Sequence, residues 1–307
     1  MELKNMAKKL VFGHQNPDTD TIASAMGAAY LLQEAYHEET EAVALGTPNA
    51  ETQYALDYFG LNPLRVIEKA ETEEVVLVDH NEKAQSVANL DDVEVVGVYD
   101  HHKINFTSAN PIWFTNKPLG SVATILYYEF QVNQIEIPKA IAGMLASAII
   151  SDTLLLKSPT TTKLDQPALA GLAKAAGIDD YEAYGMNLLK AGTDLSQRTA
   201  RELIDGDAKS FDFNGHEFRI GQVNTVDIED TLNRKAEFEA AMQAAEYQNF
   251  LFVITDILNS NSKAIFVGPD AAEVEKAFDA KLENNVVDLP GVVSRKKQVV
   301  PPLTAAF

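Results

Sequence analysis

Four short runs of aliphatic and β-branched residues punctuate the first hundred positions: Leu10-Val11-Phe12 and residues 43–45, 75–78 and 93–98. They are nearly continuous in their apolar character, where a half-exposed strand would alternate apolar with polar. Continuous runs of this kind suit parallel strands covered on both faces. Amphipathic stretches separate them, beginning with a small-residue-rich helix from about Thr21 to Ala35. Strand–helix alternation at this spacing predicts an α/β domain, doubly wound around a mainly parallel sheet. From Gly120 onward the pattern turns helical, over 122–132, 139–150, 166–176 and 181–190.

The pattern changes at Ala191-Gly192-Thr193-Asp194, which divides the chain into residues 1–190, a linker at 191–196 and residues 197–307. The second part reads as a short helix (197–203), then strands at 208–213 and 217–223 joined by an Asn214-Gly215 hairpin turn. A long helix over 228–247 follows, then strands at 251–254 and 264–267, a helix over 271–282 and a terminal strand ending at Pro301-Pro302. This is a smaller α+β domain with a mixed sheet, and 307 residues suit two domains.

Composition removes several function classes. With 45 acidic against 25 basic side chains the net charge is −20, which repels polyanions and argues against nucleic acid and anionic lipid as partners. Trp113 and the ten tyrosines do not interleave with basic residues, so no base-stacking platform is expected. The absence of cysteine excludes disulfides, thiolate metal sites and thiol nucleophiles. The longest apolar stretch, 140–150, falls short of the roughly 20 residues that span a bilayer. Residues 1–9 lead into the first run without a cleavage-like site, so no signal peptide is expected and the setting is cytoplasmic.

Chemistry-bearing side chains gather where the apolar runs end. Gly13-His14-Gln15-Asn16-Pro17-Asp18-Thr19-Asp20 follows the first run, Asp79-His80-Asn81 the third and Asp100-His101-His102 the fourth. Asp152, in Ile149-Ile150-Ser151-Asp152-Thr153, ends an apolar helix. Each has an ordinary explanation when taken singly: Asp18 or Asp20 as a helix N-cap, an Asp-His pair as a loop hydrogen bond. Taken together they do not, because ligands of an open parallel sheet bind outside the carboxyl ends of its strands. Several carboxylates on one edge require cations to neutralise them. A thiol-free set of Asp and His suits Mn²⁺, Mg²⁺, Co²⁺ or Zn²⁺. Two ions match the ligand count better than one. A pair about 3.5–4 Å apart holds a bridging water or hydroxide and stabilises both oxygens of a phosphoryl displacement. The residues alone point to hydrolysis of a phosphate ester or anhydride.

The first of these motifs and Asp100-His101-His102 resemble those of the DHH phosphoesterase superfamily. Its family II inorganic pyrophosphatases share further stretches that recur here in order. These are Val78-Asp79-His80-Asn81-Glu82, Ile150-Ser151-Asp152-Thr153-Leu154-Leu155, Lys157-Ser158-Pro159-Thr160-Thr161, Val223-Asn224-Thr225-Val226-Asp227 and Ser294-Arg295-Lys296-Lys297-Gln298-Val299-Val300-Pro301. The resemblance implies hydrolysis of pyrophosphate to two phosphates by a metal-bridged water or hydroxide at a dimetal centre between two domains. It also implies two Mn²⁺ or Co²⁺ per subunit, additional Mg²⁺ or Mn²⁺ with the substrate, and a homodimer through the N-terminal domain. Carried over by motif, His14 and Asp18 hold one metal, Asp20, His101 and Asp152 the other, and Asp79 bridges them. His102 lies beside the substrate as an acid toward the leaving phosphate, while Asp100 and His80 orient ligands.

Arg295-Lys296-Lys297 is the only run of three basic residues in this acidic chain. Such a run is ordinary on a solvated edge strand. Toward pyrophosphate, Arg295 offers a bidentate fork and Lys296 a point charge, with strand alternation turning Lys297 outward. Lys209 matches a further phosphate-binding lysine of the family. His37 reads as a surface residue at a helix end, and His216 as a turn residue. Two other readings stay within the superfamily, a phosphodiesterase and an exopolyphosphatase. The first usually carries a glycine-rich, histidine-containing motif that the second domain lacks; the second would use similar cations. A non-catalytic metal- or nucleotide-sensing module is a third reading, but the span from Asp79 to Asp152 leaves no room for a regulatory insert.

Overall fold

The computed structural model describes residues 8–196 and 198–307, and the chain divides after Gly192 into two compact units. Expectations made for the leading residues 1–7 fall outside the described residues. The first unit runs β1 (Lys9–Phe12), α1 (Thr19–Tyr36), β2 (Thr40–Ala44), α2 (Ala50–Tyr58), β3 (Arg65–Val66), β4 (Glu74–Val78), β5 (Glu94–Asp100) and β6 (Trp113–Asn116). Four helices complete it: α3 (Val122–Val132), α4 (Lys139–Thr153), α5 (Asp165–Ala176) and α6 (Tyr181–Gly192). The strands form one sheet in the order β3-β2-β1-β4-β5-β6, and every pairing is parallel. The order reverses between β1 and β4, so the chain leaves these neighbouring strands in opposite directions and opens a crevice at their carboxyl ends.

Alternation along the strands divides the core of this unit. Leu10, Phe12, Val75, Leu77 and Val98 form a buried cluster with Ile67, Ala70, Val87 and Leu90 from connecting segments. Val11, Val76 and Val78 are equally buried and point the other way, to the face where α1 and α3 pack. The small residues of α1 let it lie close to both the sheet and α4. A Cβ at Gly27 would already stand 3.0 Å from Leu145 Cδ2. Strands β3 and β6 were not expected; they are short, partly exposed edge strands without a continuous aliphatic run. Helix α6 continues to Gly192, so the first residues of the expected linker are helical.

The second unit runs α7 (Ala200–Gly206), β7 (Ala208–Phe213), β8 (His216–Thr225), α8 (Ile228–Leu232), α9 (Lys235–Gln243), β9 (Asn249–Asp256) and β10 (Asn261–Val267). Then come α10 (Ala271–Phe278), β11 (Val286–Leu289), a π-helical turn at Arg295–Val299 and α11 (Val300–Ala306). Its sheet has the order β11-β10-β9-β8-β7, with β8 and β9 parallel and the remaining pairs antiparallel. The fully buried β9 feeds both cores. Leu251 and Val253 join Phe218, Phe266, Val299 and Leu303, while Phe250, Phe252 and Ile254 join Leu203, Phe238 and Met242 on the opposite face.

Several sequence expectations are corrected in this unit. The short helix begins at Ala200, behind a Thr199–Glu202 capping box; Gln197, where it was expected to start, lies outside the described residues. The long helix over 228–247 is two helices, interrupted at Asn233-Arg234, where the Arg234 guanidinium donates to the carbonyls of Leu195 and Arg198. The helix expected over 271–282 stops at Phe278 because Asp279 adopts φ 48°, a left-handed cap. The terminal strand, β11, ends at Leu289 and does not reach Pro301-Pro302, which occupy the first turn of α11, where a missing N–H leaves no helical bond unmade. His216 opens β8 rather than sitting in the turn, with its Nδ1 2.8 Å from Asp270 Oδ2. Among the described residues no helix is long and apolar enough to cross a membrane.

The central position of Phe252, fully buried in β9, makes it a sensitive reporter of this core. Phe252→Ala should destabilise the protein by about 3–5 kcal/mol, read as a lower urea midpoint with an unchanged slope.

Candidate metal centre

Three adjacent strands bring their carboxyl ends to the crevice. His14 follows β1 by two residues, Asp79 directly follows β4, and Asp100 closes β5 ahead of His101 and His102. The start of α1 contributes Asp18, which caps the helix by accepting from Thr21 N at 2.9 Å, and Asp20 in its first turn. The last turn of α4 contributes Asp152. The donors fall into three overlapping groups: His14, Asp18 and Asp79; Asp79, His101 and His102; Asp20, His101 and Asp152. Within each group the ligand atoms lie within 4.8 Å of one another. All six residues expected as metal ligands are therefore brought together.

Asp79 is the hinge of this arrangement. Its backbone is left-handed, with φ 57°, and its N–H donates to Tyr99 O at 2.9 Å. Oδ2 accepts from Thr21 Oγ1 at 2.7 Å and faces His14 Nε2 at 3.4 Å, while Oδ1 faces His101 Nε2 at 3.4 Å. Each carboxylate oxygen thus faces a different histidine, so the carboxylate could bridge two cations.

The electrostatics are those of crowded charge. Burial pushes against ionisation of Asp79, but hydrogen bonds from His101, His14 and Thr21 outweigh it and hold the carboxyl well below its usual range. Burial likewise opposes the charged forms of His14 and His101, yet Asp18 and Asp79 raise His14 to about 10. Asp79 and Asp20 raise His101 to about 9. Burial and then the charge of Asp79 lift Asp20 to about 6, and burial with Asp20, Asp79 and Asp18 lifts Asp152 well above the carboxylate range. These donors fit a divalent cation: hard oxygens and imidazole nitrogens, no thiol, and carboxylates whose mutual repulsion a cation relieves.

The surrounding shell fixes these groups in place. His101 Nδ1 lies 3.0 Å from Leu119 O, which directs Nε2 toward Asp79. Buried Asp100 accepts from His101 N at 2.8 Å, from His102 N at 3.2 Å, from His102 Nδ1 at 2.9 Å and from Asn81 Nδ2. His80 Nδ1 is 2.9 Å from Val78 O, so its ring bridges the kinked residue; its buried Nε2 has no partner. Asp20 also accepts from Ser24 Oγ, Ser121 Oγ, Val122 N and Ala123 N, and so caps α3 from across the unit. Sequence reasoning missed Thr21, Ser121 and Glu51. Thr21 lies one residue past a recognised motif, whereas Glu51, whose carboxylate accepts from Thr19 and Ser151, carries no local signal among 45 acidic residues.

Among the cations of the second unit, Arg295 is the one that differs from expectation. Lys209 on β7, Lys296 and Lys297 are exposed. Arg295 is buried, with Nη1 donating to Asp207 O and Ile220 O and Nη2 donating to Asp207 Oδ1 at 2.7 Å. Its fork is engaged within the unit, where a free bidentate donor was expected. The segment is a π-helical turn rather than a strand, so Lys296 and Lys297 both face outward instead of alternating.

Comparison with known proteins places these observations in a family. The DHH family N-terminal domain matches residues 8–149, and the DHHA2 domain matches residues 186–306. The chain is 53% identical to a probable manganese-dependent inorganic pyrophosphatase of Streptococcus agalactiae, over 98% of this chain and 99% of the relative. It is 54% identical to a protein of the same name from Streptococcus suis, with the same coverage. The crystal structure of a putative family II inorganic pyrophosphatase from Methanococcus jannaschii superposes with a TM-score of 0.62 at 42% identity, covering 97% of this chain and 98% of that one. The switch-point cluster around Asp79 and the full-length relatives agree, and the chain belongs to the manganese-dependent, family II inorganic pyrophosphatases of the DHH superfamily.

Proposed function

We infer that the chain hydrolyses inorganic pyrophosphate to two phosphates at the cluster around Asp79. The observation that carries this reading is the division of the two Asp79 oxygens between His14 and His101, inside a set of carboxylates that calls for more than one cation. His14 and Asp18 would hold one Mn²⁺, Asp20, His101 and Asp152 a second, and Asp79 both. When bound, such ions lower the pKa of water and stabilise charge on phosphoryl oxygens.

His102 is suited to proton transfer. Asp100 holds its Nδ1 at 2.9 Å and raises its pKa, which leaves Nε2 on a half-exposed ring to give a proton to the departing phosphate. Lys209 and Lys296 are the exposed cations assigned to the outer oxygens of the substrate. Arg295 acts first on the shape of its own unit, tying the start of β7 to β8 through Asp207 and Ile220. Further Mg²⁺ or Mn²⁺ arriving with the substrate, Co²⁺ as a substitute, a homodimer through the first unit and a cytoplasmic setting belong to the same reading.

Four outcomes follow. Protein stripped by a chelator should lose pyrophosphate hydrolysis and regain it with Mn²⁺ while leaving bis-nitrophenyl phosphate and dinucleotides untouched; the reverse preference overturns the substrate. Asp79→Asn should lower kcat by at least about a hundredfold, with far-UV circular dichroism unchanged. Lys296→Ala should raise KM about tenfold at constant melting temperature. Arg295→Ala should also destabilise the protein, by about 1–3 kcal/mol, because buried carbonyls lose their donor.

A further inference from the structure

Two of the metal-facing carboxylates stand at helix ends: Asp18 is the N-cap of α1 and Asp152 lies in the last turn of α4. Helix ends lack part of the hydrogen-bond ladder and loosen first. Beyond Asp152 the chain turns sharply: Leu154, Leu155 and Leu156 all have φ between 48° and 64° and leave the helix through a left-handed turn. The bonds of that turn, such as Leu155 N to Ile150 O at 3.0 Å and Ser158 N to Thr153 O at 2.8 Å, stay within α4 and the turn and do not reach α1. The element that joins the two ends is α2. In its first turn Glu51 presents a single oxygen, Oε1, that accepts from Thr19 Oγ1 at 2.6 Å and from Ser151 Oγ at 2.5 Å. Thr19 separates Asp18 from Asp20, and Ser151 immediately precedes Asp152. The Thr19 hydroxyl is also 3.1 Å from that of Thr52, one residue along α2. The end of α6 covers the junction, where a Cβ at Gly192 would come within 3.0 Å of Glu51.

We propose that Glu51 is a positioning residue: its Oε1, accepting from Thr19 and Ser151, sets the separation of Asp18 and Asp20 from Asp152 that divalent cations require. This rests on the metal reading above. Glu51 belongs to none of the donor groups and acts through the two hydroxyls alone. Groups that orient metal ligands commonly govern affinity by ten- to a hundredfold even though they touch no metal, and Glu51 would do so through residues adjacent in sequence to the candidate ligands. A carboxylate is not essential to that role, since an amide oxygen at the same place accepts the same two bonds.

The test measures Mn²⁺ affinity of the metal-free full-length protein by counting free Mn²⁺ with electron paramagnetic resonance, beside thermal unfolding without metal. Glu51→Ala should weaken Mn²⁺ binding at least about tenfold, and Glu51→Gln should restore it to within about threefold of wild type. Equal weakening by both substitutions would assign the effect to charge and overturn the proposal, as would unchanged affinity in Glu51→Ala. If Glu51→Ala does not fold, Ser151→Ala is read in its place: affinity lowered about threefold or more supports the link, and unchanged affinity overturns it. Wild-type protein that fails to bind Mn²⁺ in the same assay would instead sink the metal reading itself.

Discussion

The site depends on one buried carboxylate held in a left-handed backbone. Non-glycine residues in that region are disfavoured by roughly 1–3 kcal/mol unless their surroundings hold them there. At Asp79 the surroundings are specific: the N–H is bonded to Tyr99 of the next strand, Thr21 of α1 donates to Oδ2, and the His80 ring reaches back to Val78. The kink comes directly after β4, on one side of the reversal in strand order. A carboxylate at that point meets residues from β1, β5 and the start of α1 at once. Parallel topology creates the crevice, and the kink turns the two oxygens of Asp79 toward different histidines.

This explains why so much of the site was legible in the sequence. A parallel strand buried on both faces is a continuous apolar run, and a ligand at its carboxyl end is the next residue or two. Strand and ligand are therefore adjacent in the chain, as in Val78-Asp79 and Tyr99-Asp100-His101. What stayed hidden depends on residues far apart in sequence. Glu51 and Ser151 are 100 residues apart, and Asp20 caps a helix that begins 102 residues later. Edge strands β3 and β6 were invisible for a related reason: an edge need not be apolar, so Arg65-Val66 gives no run to read.

The second unit shows where local pattern misleads. Val299-Val300-Pro301-Pro302 has the β-branched character of a strand, yet proline supplies no N–H to a ladder and fits the first turn of a helix without loss. The burial of Val299 and Leu303 on one core then follows a helical spacing. Once the segment is helical, the three basic residues before it no longer alternate. Arg295 turns into the unit and the two lysines turn out.

That division bears on how an acidic protein recognises an anion. The net charge of −20 opposes any extended polyanion at long range, but it is not evenly employed. Asp18, Asp20, Asp79 and Asp152 gather in the candidate metal centre, where bound cations would neutralise their charge locally. Arg295, the residue best shaped to grip one phosphate through two parallel bonds, donates to Asp207 and Ile220 instead. Lys209 and Lys296 are left exposed. An ammonium on a flexible stem imposes no planar geometry on its partner, so it follows an anion whose oxygens move apart as a bond breaks. In the proposed reading, Lys209 and Lys296 would accommodate that movement of a small anhydride more readily than a rigid fork would.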